Sequence, residues 1–150
     1  MTRASHLDTI TRYYDGCSSG DVEAMIATMH PDVVHYFLAP NPGSTPVGGA
    51  EHLARYWRKV QRMLDARWLV DHCLEGPDEA VIEWTMCWTP ADGAPRVATR
   101  GAEWFAFRGG LIREIRSYYR QEPATTELDG FPYLARGYSA PGDERHGAGR

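Results

Sequence analysis

Apolar positions along this chain follow two periods. From Ser5 to Cys17 they fall at helical spacing, with Leu7, Ile10, Tyr13 and Tyr14 on one face. Gly16 and the Ser18-Ser19-Gly20 run predict the end of that helix. Asp21 is placed to cap a second, Val22 to Met29, whose stripe is Met25, Ile26 and Met29. Pro31 closes it, because the residue before a proline avoids the α region. Val33 to Leu38 then alternates as a strand, with Val33, His35 and Phe37 sharing a face. The run Ala39 to Gly49 holds three prolines and three glycines and predicts a loop. Ala50 to Leu64 predicts the longest helix. Leu53, Tyr56, Trp57, Val60 and Leu64 face inward, and Arg55, Arg58, Lys59 and Arg62 face water.

The period then changes to two. Arg67 to Glu75 predicts a strand with Trp68, Val70, His72 and Leu74 on one face, so His72 is expected to point inward. Glu79 to Thr89 predicts another, with Ala80, Ile82, Trp84, Met86 and Trp88 on one face. The stretch from Val97 to Gln121 predicts a hairpin. Its arms are rich in aromatic and β-branched residues, and Gly109-Gly110 supplies the positive φ values of a tight turn. Glu103 shares a strand face with Phe105 and Phe107. If that face is the core face, the sheet buries a carboxylate, which is costly unless it is paired or protonated. Such groups are candidates for chemistry.

After Pro123 the pattern dissolves. Leu128 to Tyr138 still carries Phe131, Tyr133, Leu134 and Tyr138, and burying each large apolar side chain is worth roughly 1.5–3 kcal/mol. Residues 122–140 are therefore expected to pack irregularly on the domain, either over a pocket mouth or on the back of the sheet. Residues 141–150 read as a disordered tail. One domain is expected over residues 1–140.

With 150 residues, an apolar fraction of 43% and a net charge of −4, the chain fits one soluble core. No basic run or basic–aromatic stripe appears, so nucleic acid is not expected as a partner, and no apolar run approaches a membrane span of about 20 residues. The start has no secretory h-region. Cys17, Cys73 and Cys87 are odd in number and lack metal-ligand spacing, which predicts reduced thiols and a cytoplasmic protein. Neither a metal nor a cofactor is expected.

The pieces RYYDGCSSGDVEAM, HPDVVHYF, GGAEHLARYW, DEAVIEWTM and the hairpin, in that order, resemble the NTF2-like superfamily, which includes SnoaL-like polyketide cyclases and ketosteroid isomerases. The resemblance implies an α+β cone, a curved antiparallel sheet wrapped around N-terminal helices with an internal pocket. It also implies a homodimer, expected through the outer sheet face with Glu83, Thr85, Arg116 and Tyr118. Against the isomerases, Tyr13 matches the oxyanion-binding tyrosine and Glu103 the protonated acid, while Phe37 stands at the place of the aspartate base. Arg120 stands where the cyclases have an aspartate near the end of the last strand. Ser117 stands where epoxide hydrolases of this fold have their second aspartate.

The candidate catalytic residues are Glu103 as acid, His35 as base from one step along the strand of Phe37, and Tyr13 as oxyanion donor. Phe37, Trp57, Trp84, Met86, Trp88, Ser117 and Tyr119 are expected to contact substrate. The chemistry expected is cofactor-independent isomerisation, dehydration or cyclisation of a small, largely apolar molecule. The alternative is a non-catalytic small-molecule-binding or association domain.

Overall fold

The computed structural model describes residues 5–40, 45–120, 126–142 and 144. The chain runs α1 (His6–Ser19), α2 (Val22–Ile26), β1 (Met29–Phe37), β2 (Val47–Gly48), α3 (Ala50–Leu64), β3 (Arg67–Glu75), β4 (Glu79–Trp88), β5 (Val97–Arg108) and β6 (Leu111–Tyr118). Ser5 caps α1 by accepting from the Asp8 N–H at 3.0 Å. Gly20 ends α1 at φ 72°, a left-handed conformation that glycine adopts without strain. Asp21 caps α2 through the Ala24 N–H at 3.1 Å.

The six strands form one curved, open sheet in the order β2-β1-β6-β5-β4-β3. Its pairings are antiparallel except that β1 runs parallel to β6. The helices pack on the concave face, and the core lies between: Ile10 and Tyr13 from α1, Leu53 and Trp57 from α3, Val33, Ile82, Phe105, Ile112 and Ile115 from the strands. The architecture is the α+β fold expected from the sequence. Among the described residues, no helix is long and apolar enough to cross a membrane.

Three local expectations change. The second helix stops at Ile26, and β1 already begins at Met29, ahead of Pro31. Pro31 is tolerated because β2 reaches only Val34 and His35, so that part of β1 is unpaired on one side. Within the expected loop, Val47 and Gly48 add a short edge strand. His72 is not inward. The β3–β4 register slips between Val70 and His72, so Cys73 opposes Ile82 and His72 opposes Glu83 outside. There His72 Nδ1 lies 3.5 Å from Glu83 Oε1.

The irregular segment from Thr126 lies on the outer face of the sheet, not over the cavity. Arg100 of β5, almost fully buried, donates to Thr85 at 2.8 Å, to the Ser139 carbonyl at 2.5 Å and to Glu127 at 3.0 Å, and its guanidinium covers the Tyr133 ring at 4.5 Å. Asp71 accepts from the Ser139 N–H and hydroxyl, each at 2.9 Å, and Tyr138 donates to Glu83. Phe131, Tyr133 and Tyr138 meet edge to face, while Leu134 stays exposed. Thus Glu83 and Thr85, expected at a dimer contact, are occupied by the chain itself. Of the expected tail, Glu144 accepts from Arg96 through both oxygens at 2.9 Å. Residues 121–125, 143 and 145–150 lie outside the described residues.

Candidate functional site

Between α3 and the concave face lies a cavity of about 300 Å3. The helix supplies Tyr56, Trp57 and Val60, and the sheet supplies Trp68, Trp84, Met86 and Trp88. Tyr14 of α1 and Tyr119 beyond β6 complete an aromatic lining, with Trp84 and Tyr119 edge to face at 5.2 Å. A cavity of this size and polarity suits a small, mostly apolar molecule. Its polar wall is small: Glu103, Ser117 and Thr99, the last accepting from the Trp88 indole at 2.9 Å.

Glu103 reaches this wall because strand parity turns it inward from β5, directly opposite Ser117 of β6. Ser117 in turn pairs with Phe37 of β1, next to His35. The three side chains form a chain of contacts. Ser117 donates to Glu103 Oε2, and His35 Nε2 meets Ser117 Oγ at 2.5 Å. His35 Nε2 is also 3.3 Å from Glu103 Oε2. The serine can donate to Glu103 only if His35 carries its proton on Nε2, which leaves Nδ1 bare; Nδ1 is buried without a partner. Glu103 Oε1 has no partner among the described residues and opens toward the cavity.

Burial dominates the charge state. It pushes Glu103 up to about 8, against a smaller downward pull from the Ser117 hydroxyl. Burial pushes His35 down to about 3. At neutral pH the pair is therefore two neutral groups, not an ion pair. No arginine or lysine is paired with Glu103 among the described residues. Such a carboxylic acid can donate a proton or a hydrogen bond at pH 7.

Of the residues singled out in the sequence, Glu103, Ser117, Trp57, Trp84, Met86, Trp88 and Tyr119 line the cavity. His35, Phe37 and Tyr13 do not. His35 is sealed behind Ser117, stacked on Phe37 at 4.3 Å. Tyr13 is fully buried between α1 and the core, near Cys17 and Trp57, and burial drives its phenol well above its usual value. Its neighbour Tyr14 lines the cavity, and the Tyr14 hydroxyl is itself buried without a hydrogen-bond partner among the described residues. One residue is about 100° on a helix, enough to exchange core for cavity. Tyr56, Val60 and Leu64 were also missed as lining, although they stand with Trp57 along one face of α3.

Residues 10–115 match the SnoaL-like domain family. The chain belongs to the SnoaL-like family. As a SnoaL-like chain it is a small-molecule-binding or catalytic domain. Its solved relatives include a protein of unknown function with a cystatin-like fold from Methylobium petroleophilum, 35% identical over 93% of both chains, TM-score 0.69. TerC, co-crystallised with polyporic acid, is 18% identical over 77% of this SnoaL-like chain and 92% of its own, TM-score 0.66. A Mycobacterium tuberculosis protein in complex with estradiol-17beta-hemisuccinate is 20% identical over 79% and 97%, TM-score 0.65. At these last two identities the likeness is one of fold. No functionally curated protein matches in sequence.

Among the described residues, no group of three or more His, Cys, Asp or Glu side chains is placed to hold a metal.

Proposed function

We propose that this protein is a cofactor-independent acid/base enzyme that removes water from, or isomerises, a small ring-bearing molecule. The observation that carries this reading is Glu103: a carboxylic acid kept protonated by burial, with one oxygen open to an aromatic cavity. In the dehydration form, the proton on Glu103 Oε1 passes to a hydroxyl of the substrate, the C–O bond breaks and water leaves. The carboxylate that remains accepts the Ser117 hydrogen bond, itself supported by the His35 Nε2–H. It then takes a proton from the adjacent carbon, which forms the double bond and restores Glu103. In isomerisation Glu103 instead protonates one carbon of a substrate double bond and its carboxylate then removes a proton from the carbon on the far side, which shifts the double bond and restores Glu103 without loss of water.

In this scheme His35 is a positioning residue that acts through Ser117, since burial keeps it neutral and away from the cavity. Tyr14 takes the part assigned in the sequence to Tyr13, donating to a substrate oxygen. The ring-bearing ligands of TerC and of the Mycobacterium tuberculosis protein favour a substrate of that shape.

The test uses a panel of bicyclic and tricyclic β-hydroxyketones, followed by enone absorbance. Wild-type protein should convert at least one member. Glu103→Gln should lower that rate about 10²-fold or more while binding persists. Probes that bind tightly but never turn over would instead identify a binding domain, the second reading, which the continuous aromatic lining also fits.

We further propose a homodimer in the cytoplasm. Its contact is the uncovered part of the outer face, where Tyr36, Leu38, Trp104 and Tyr118 are exposed. A monomer mass in sedimentation equilibrium at micromolar concentration would rule it out.

A further inference from the structure

The mouth of the cavity continues into a basic groove on α3. Lys59 and Met63 line both, and Arg55, Arg58 and Arg62 flank them. The four cations stand at i, i+3, i+4 and i+7, one stripe along two turns of helix. Like charges at this spacing repel and weaken the helix they stand on. Only Arg55 has an anionic partner, Glu51 at 2.5 Å. Arg58, Lys59 and Arg62 have none among the described residues.

The general acidity of the chain, net −4, makes this local excess of cations stand out further. The helix dipole favours cations only in the last turn, which accounts for Arg62 and not for Arg55 or Arg58. Glu103 is the one acidic residue of the cavity lining, and it belongs to the sheet wall opposite α3. The route inward therefore begins positive, becomes aromatic, and ends at a neutral acid. Met63, exposed beside Lys59, adds a flexible apolar edge at the boundary between the two regions.

We propose that the ligand of this cavity carries an anionic, carboxylate-type group that stays outside in the Arg55–Arg62 groove while its apolar body enters between the tryptophans. The inference rests on the cavity being the ligand site, as proposed above. It adds an orientation: the reacting end of the ligand is the end away from its anion. Arginine holds carboxylates by paired N–H donors, and an exposed cationic stripe draws anions to the mouth before the apolar body is buried.

Two probes with one apolar body decide it: 4-(2-naphthyl)butanoate and 4-(2-naphthyl)butan-1-ol, each titrated by calorimetry. In low salt the acid should bind about ten-fold tighter than the alcohol, and salt screening should reduce the ratio to within about two-fold at about 0.5 M. The ratio should collapse equally in low salt in the double variant Lys59→Gln/Arg62→Gln. Equal affinities in wild-type protein overturn the anionic group and leave the cavity standing as a ligand site. An advantage for the acid that persists in the double variant overturns the groove. If neither probe binds, the cavity reading falls and this inference falls with it.

Discussion

Gly101 lies directly opposite Trp84 in the β4–β5 ladder, and the Trp84 indole occupies the space a side chain at 101 would need. A Cβ there would stand 2.5 Å from Trp84 Cζ2 and 2.8 Å from Cε2. Both atoms belong to a rigid ring, so neither can yield alone. Gly101→Ala should push the indole out of its place in the cavity wall and destabilise the fold by about 1–3 kcal/mol, as overpacking does. Urea unfolding gives the stability, and the tryptophan emission spectrum reports the displaced ring. An unchanged midpoint and spectrum would contradict this arrangement.

The neutral Glu103–His35 pair shapes stability against pH. Glu103 is raised, so the folded protein keeps a proton that the unfolded chain loses between about pH 4.5 and about 8. Its contribution to stability is full below that window and is lost as pH rises through it. His35 is lowered, so the unfolded chain gains a proton that the folded protein refuses between about pH 6.5 and about 3. Its contribution is full above that window and is lost as pH falls. The two slopes oppose each other where the windows overlap. We expect these groups to give a plateau between about pH 4.5 and 6.5 and a decline toward pH 8. Glu103→Gln should abolish the decline on the alkaline side, measured by denaturant unfolding at successive pH values.

Ser117 joins the two groups and, among the described residues, is the only hydrogen-bond partner of Glu103 that draws its pKa down. Ser117→Ala should therefore raise the Glu103 pKa further, seen in the carboxyl 13C shift of labelled protein. Loss of the bridge leaves polar atoms of His35 and Glu103 poorly satisfied in the core, a cost of about 1–3 kcal/mol. A Glu103 pKa that falls in the variant would refute the direction argued here.

Arg100 fastens residues 126–142 to the outer sheet face. Arg100→Met keeps the length of the stem but removes every donor to Thr85, Ser139 and Glu127. The segment should then be cut sooner in limited proteolysis, with a loss of about 1–3 kcal/mol. Cavity binding of the naphthyl probes should stay within about two-fold, because the segment lies on the opposite face. A large drop in affinity would place the segment in contact with the site.

Where the sequence period was regular, the fold was legible. Glu103 was placed inward because it stands two positions before Phe105, and the ladder keeps that parity. Parity fails at a bulge, and the slip beside Asp71 turned His72 outward with no turn residue to announce it. On α1 the apolar face is wide, so spacing alone could not say that Tyr14 and not Tyr13 meets the cavity. His35 has the correct strand face, but the parallel pairing with β6 sets it behind Ser117, and a contact between first and last strands has no local signature. The position of residues 126–142 depends on Arg100 and Asp71, polar residues on a face that strand alternation assigns to water.

The hydrogen bond from His35 to Ser117 spans 82 positions of the chain. β3 to β6 can assemble as a local meander, but β1 must close a long loop to lie beside β6, and such closures come late because their entropy cost precedes their contacts. The Glu103–Ser117–His35 chain is thus completed across the seam whose closure costs the most loop entropy. A partly opened molecule with β1 detached keeps most of its tryptophan-lined wall and has no Glu103–Ser117–His35 chain. The chemistry proposed for Glu103 therefore requires a molecule whose topology is finished.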